Sequence, residues 1–122
     1  MNERTAEMNE VRRREAQDGW NLSMTVYVIV QLRMIDRAAY DRYQARFFGV
    51  FKKFQGRLLS ADETPEVQEG SWDRDKVVLM SFPDEAAYRA WADSPEYQEI
   101  SKDRKAGATA IVLLAKGFGS GG

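Results

Sequence analysis

The chain has 122 residues, neither cysteine nor histidine, and 18 basic against 19 acidic residues for a net charge of −1. That length suits one domain with its own apolar core, and the balanced charge gives no electrostatic case for nucleic acid or an anionic membrane. The two missing residue types remove disulfides, thiolate chemistry, the usual acid/base near neutral pH and the usual ligands of zinc and haem, so no metal and no cofactor are expected.

Residues 1–23, MNERTAEMNEVRRREAQDGWNLS, are polar and mix both charges at helical spacing. They read as a flexible or loosely docked arm ahead of a domain at 24–117, with 118–122 as a flexible glycine-rich tail. The arm carries no apolar stretch of the kind that heads a secreted chain, and no segment reaches the roughly 18 apolar residues of a membrane span. A cytoplasmic protein without a membrane partner is the resulting expectation. The Arg12-Arg13-Arg14 triplet sits among five carboxylates and reads as part of a solvated helix rather than an anion site.

TVYVIVQLRM (25–34) is β-branched and aromatic, which predicts a strand. Asp36 then stands as an N-cap before Tyr40, Tyr43, Phe47, Phe51 and Phe54, whose spacing draws one apolar helix face, read as core. Lys52 and Lys53 suit the end of that helix, and Gly56 a left-handed cap beyond it. RLLS predicts the second strand, Thr64-Pro65 a turn, and KVVLMSF (76–82) the third strand, stopped by Pro83. A helix follows from Asp84 through Trp91 and restarts at Ser94-Pro95, with serine as cap and proline at the first helical position. ATAIVLLAK (108–116) is the last strand. The order β-α-β-β-α-β is a split βαβ arrangement, an α+β fold with a four-stranded antiparallel sheet.

Two helices cover one face of such a sheet, and the other face is ordinarily polar. Here Val26, Val28, Val30 and Leu32 alternate with Tyr27, Ile29, Gln31 and Arg33, and the third and last strands are apolar on both sides as well. An uncovered apolar sheet face is an aggregation liability, and the arm has too few apolar residues to hide it. A second copy of the chain is the simplest cover, so a homodimer is expected.

GRLLSADETPEVQEGSW (56–72), SFPDEAAYRAW (81–91) and SPEYQ (94–98), with Arg104 six residues after Gln98, occur in this order. In these motifs the chain resembles the domain-of-unknown-function 1330 family over roughly residues 24–117. That resemblance implies a ferredoxin-like fold whose sheets pair face to face as a dimeric α+β barrel. It carries over no reaction. Similar barrels include cofactor-independent monooxygenases, small isomerases, haem enzymes and ligand sensors. Relatives often have histidine immediately before the position of Arg104, where this chain has Asp103. A mechanism that moves a proton through that histidine is not available here.

Without histidine, acid/base work falls to carboxylates, lysine or tyrosine, and no catalytic residue is assigned from the sequence. The turn acids Glu63 and Glu66 are expected to stay solvated. Arg57, Asp62, Glu69 and Trp72 lie at the strand ends flanking the turn and are expected to approach the helix bearing Tyr97 and Arg104. These six are the candidate ligand-binding residues. The arginines offer a fixed fork of donors for a carboxylate or enolate, and the aromatics offer walls. Structural alternatives stand beside each: ion pairing for Arg57, dipole complementation for Arg104, turn hydrogen bonds for the acids, and core packing for Trp72 and Tyr97. Three function classes follow: a cofactor-free enzyme on a small organic molecule, favoured narrowly; a ligand-binding or sensor module; and a structural homodimer.

Overall fold

The computed structural model describes residues 24–118, so the arm at 1–23 and tail residues 119–122 lie outside the described residues. Four strands, β1 (Val26–Met34), β2 (Arg57–Asp62), β3 (Lys76–Phe82) and β4 (Ala108–Lys116), form one antiparallel sheet in the order β2-β3-β1-β4. Helix α1 (Arg37–Phe51) joins β1 to β2, and α2 (Glu85–Ala92) with α3 (Pro95–Gly107) joins β3 to β4. This is the expected ferredoxin-like arrangement, its second helical region broken in two.

Local chemistry sets the helix ends. The Asp36 carboxylate accepts from the amides of Ala38 and Ala39, satisfying two donors that α1 cannot satisfy itself. The helix stops at Phe51, earlier than the aromatic stripe suggests. Lys53 N donates to Val50 O at 3.1 Å and Phe54 N to Phe51 O at 3.0 Å, so the chain leaves through a tight turn that still packs Phe54 on the core. Gly56 is not in the left-handed region that a cap glycine takes; among the described glycines only Gly70 is, at φ 87°. Gly56 is required for space instead. A Cβ there would lie 2.5 Å from the Phe51 ring and 2.6 Å from that of Phe82.

The break between α2 and α3 has a cause in Ser94. Its hydroxyl donates to Trp91 O at 2.8 Å and accepts from Tyr97 N at 3.1 Å, while Pro95 lacks the amide that a continuous helix needs. The corner brings the Trp91 and Tyr97 rings to 4.3 Å between centroids.

Register sorts the side chains of the sheet. Val26, Val28, Val30 and Leu32 pair with Phe82, Met80, Val78 and Lys76 and face the helices, where Val26, Val28, Leu32 and Phe82 are almost fully buried. Tyr27, Ile29 and Gln31 pair with Ser81, Leu79 and Val77 on the opposite side. Ile111 and Leu113, opposite Gln31 and Ile29, remain 41% and 46% exposed. The expected second apolar face is therefore present. It carries no helix among the described residues.

Candidate functional site

A cavity of about 580 Å³ lies between the helix-facing side of the sheet and the helices, within the usual range of roughly 300–1,000 Å³ for small-molecule sites. Val28, Val30, Val78 and Met80 form its apolar floor. Tyr40, Tyr43 and Phe47 enter from α1, Trp91 from α2, and Tyr97 and Arg104 from α3. The aromatic stripe of α1, expected to be core, is both core and cavity wall.

Polar groups gather away from the floor, where Gln44, Asp93, Gln98, Ser101 and Lys105 also line the cavity. Tyr43 and Tyr97 share a hydrogen bond between hydroxyls at 3.0 Å. Burial raises the pKa of both phenols; at Tyr97 this is opposed by the bond to Tyr43 and by the Arg104 guanidinium beside it. Burial also pushes Tyr40 up to about 12. All three phenols are protonated at neutral pH, so they act as hydrogen-bond donors and not as bases. Two further donors belong to residues that line the cavity: Trp91 Nε1 and Arg104 Nη1 are buried and make no hydrogen bond to the protein. Buried donors are nearly always partnered, and two orphans around one cavity mark where an acceptor belongs.

Lys76 is the one charged side chain buried among the described residues, at 4% exposure. It opens β3 on the helix-facing side and lines the cavity. Its Nζ donates to Gln44 Oε1 at 2.8 Å and sits 4.8 Å from the Tyr40 ring centroid. Glu63 is 3.9 Å away, but that carboxylate is already held by both terminal nitrogens of Arg37 at 2.9 and 3.1 Å. Burial lowers the Lys76 pKa, with Glu63 opposing. Sequence reasoning missed this lysine because it looks like the polar start of a strand. The available signal was alternation: Lys76 shares a face with Val78 and Met80.

Of the six residues proposed from sequence, Tyr97 and Arg104 line the cavity; Arg57, Asp62, Glu69 and Trp72 do not. Arg57 and Asp62 pair with Ser81 and Val77, which places them on the other side of the sheet. Asp62 Oδ1 accepts from Thr64 N at 2.9 Å, a turn contact. Trp72 Nε1 donates to Gln31 Oε1 at 3.1 Å, again on the far side, and Glu69 is exposed in the connection from β2 to β3. Two features undo the expected convergence. A bulge between Leu58 and Ser60 breaks strand alternation, so that Arg57 and Asp62 fall on the same far side, and β3 begins only at Lys76, so Thr64-Pro65 is not a tight hairpin turn. Glu63, expected to be merely solvated, is ion-paired to Arg37 and is the acid nearest Lys76.

Residues 25–118 match the family described as Domain of unknown function (DUF1330). The chain belongs to that family. A DUF1330 sequence carries no established reaction with it, and no curated protein matches this chain. Among solved structures, it is similar to a protein of unknown function from Rhodopseudomonas palustris, at 18% identity and TM-score 0.68, covering 79% of this chain and 84% of that one. It is also similar to SnoaB, a cofactor-independent oxygenase from Streptomyces nogalater, at 17% identity and TM-score 0.57, covering 75% and 91%. A dimeric ferredoxin-like protein of unknown function from Thermobifida fusca matches at 12% identity and TM-score 0.55, covering 78% and 92%. At these identities the likeness establishes the ferredoxin-like fold alone. Among the described residues of this DUF1330 chain, no helix is long and apolar enough to cross a membrane, and no group of three or more acidic side chains is placed to hold a metal ion.

Proposed function

We propose that the cavity binds a small, largely apolar organic molecule bearing a carbonyl or similar oxygen, and that the protein transforms it without a cofactor as a cytoplasmic homodimer. The observation that carries this reading is the pair of orphaned donors, Trp91 Nε1 and Arg104 Nη1, on residues that line a cavity with an apolar floor. A bound oxygen acceptor satisfies them once the two side chains turn to meet it. Arg104, with the protonated Tyr97 beside it, favours an oxygen on which negative charge develops, as in an enolate. The apolar floor of Val28, Val30, Val78 and Met80 suits a hydrocarbon body. Arg57, Asp62 and Trp72 belong in this reading to the open sheet face, where two copies meet.

The test is a matched ligand series measured by calorimetry: aromatic ketones against hydrocarbons of the same shape. Ketones should bind more tightly, and Arg104→Met should weaken them by roughly 10- to 100-fold, the loss of a charged hydrogen bond worth about 1.5–3 kcal/mol. Equal affinity for ketone and hydrocarbon, or for wild type and Arg104→Met, overturns the reading. Incubation of the tightest ligand with the protein and assay for product then separates an enzyme from a binding module.

A further inference from the structure

Lys76 is unused by the function proposed above, yet it is the feature of the cavity hardest to account for as structure. A buried ammonium needs a counter-charge close by. Its nearest carboxylate, Glu63, is 3.9 Å distant and committed to Arg37 at 2.9 and 3.1 Å, so the hydrogen bond to the neutral Gln44 at 2.8 Å is the amine's shortest contact. The charged and titratable groups facing the amine are Glu63 from the β2–β3 connection and Arg37, Tyr40 and Asp41 from α1. The two carboxylates outnumber the one guanidinium among them and favour the ammonium, but burial is the largest influence on the amine and favours its neutral form. Neutral amines are nucleophiles and ammoniums are not.

We propose that Lys76 is a nucleophile that condenses with a carbonyl compound bound in the cavity to form an imine. The Nζ lone pair attacks the carbonyl carbon, the C=O π pair moves to oxygen, and a proton passes from nitrogen to that oxygen, giving a carbinolamine. Loss of the second nitrogen proton and of the hydroxyl then forms C=N and releases one water; no oxidant or reductant is consumed. Protonation of the imine nitrogen from solvent gives an iminium, an electron sink for the adjacent carbon, which suits proton transfer or carbon–carbon bond chemistry beside a ketone or aldehyde. The inference rests on the reading of the cavity as a ligand site but not on the role given to Arg104.

The experiment uses the full chain, benzaldehyde and cyanoborohydride near pH 7, with benzylation at each lysine quantified by peptide mass spectrometry. Each unit by which an amine's pKa falls raises its neutral fraction about tenfold at that pH. Lys76 should therefore be labelled faster than the exposed Lys52, Lys53 and Lys102, despite its burial. In urea the preference should vanish, because it comes from the fold. Uniform labelling, labelling slowest at Lys76, or a preference that survives urea each overturns the proposal. Because the probe is read on wild type, the result does not depend on a variant folding. An Arg104→Met protein with unchanged ketone affinity alongside selective Lys76 labelling would sink the binding mode and leave the nucleophile standing.

Discussion

Three buried phenols give the site a pH signature of its own. A group whose pKa is raised on folding keeps its proton longer in the native state, so its stabilisation is complete below the unfolded value and is lost as pH rises through the folded one. For Tyr40 that window runs from 10 to about 12, a difference worth on the order of 2–3 kcal/mol. Tyr43 and Tyr97 act in the same direction. Lys76 acts oppositely: its pKa falls on folding, so raising the pH toward its ordinary 10.5 removes a penalty. Urea unfolding across pH values of about 9 to 12 should therefore show stability falling steeply only above about pH 10. Tyr40→Phe should make that fall shallower, and an identical alkaline limb in the variant would contradict the assignment. Legibility at this scale was partial. Tyr97 and Arg104 were visible as polar residues on one helix, whereas Lys76 was not, because its burial comes from Gln44 and Tyr40 packing over a strand end.

Helices are held to one another by approaches that leave no room for side chains, and two glycines make the contrast testable. At Gly107, the last residue of α3, a Cβ would collide with the backbone amide of Tyr40, and the Gly107 carbonyl accepts from Ile35 N at 2.8 Å and Asp36 N at 3.0 Å. Gly49 lies in α1 with nothing within 4 Å of a Cβ. Gly107→Ala should destabilise by about 1–3 kcal/mol, because backbone must shift to admit the methyl. Gly49→Ala should stabilise by about 0.5–1 kcal/mol through helix propensity alone. Equal effects in urea melts would mean that the α1–α3 junction is looser than described. Element existence was legible from periodicity and caps: Asp36, Asp84 and Ser94 all cap helices where their side chains suggest. The early end of α1 was not legible, since Phe54 continues the apolar spacing while packing from a turn.

The open sheet face dominates the whole molecule. Ile29 sits on the central strand β1, between Leu79 and Leu113, and the half-exposed Ile111 extends the patch. Apolar area of this kind is favourable to bury, at about 25 cal/mol per Å². Sedimentation equilibrium at micromolar concentration should give twice the 14.0 kDa chain mass. Ile29→Glu combined with Leu113→Glu should give the single mass with unchanged secondary structure by circular dichroism. A wild-type monomer, or a dimer that survives both charges, would place the cover elsewhere.

Strand and helix order, the two apolar faces and the lack of histidine and thiol chemistry follow from residue types and their spacing, because alternation and 3.6-residue periodicity are local properties of the chain. The placement of Tyr97 and Arg104 on one helix is legible for the same reason. Which strand-end residues share a side of the sheet is not. One extra residue at the bulge beside Leu59 reverses the alternation, and the long connection after Asp62 removes the tight turn that was to bring Glu69 back. The cavity itself depends on contacts between residues far apart in sequence: Lys76 with Gln44, Tyr43 with Tyr97, Trp91 with Tyr97 across the Ser94 corner. Burial and orphaned donors arise only when distant surfaces close over a side chain, and so only the tertiary structure could show that Trp91, Arg104 and the buried Lys76 line one cavity.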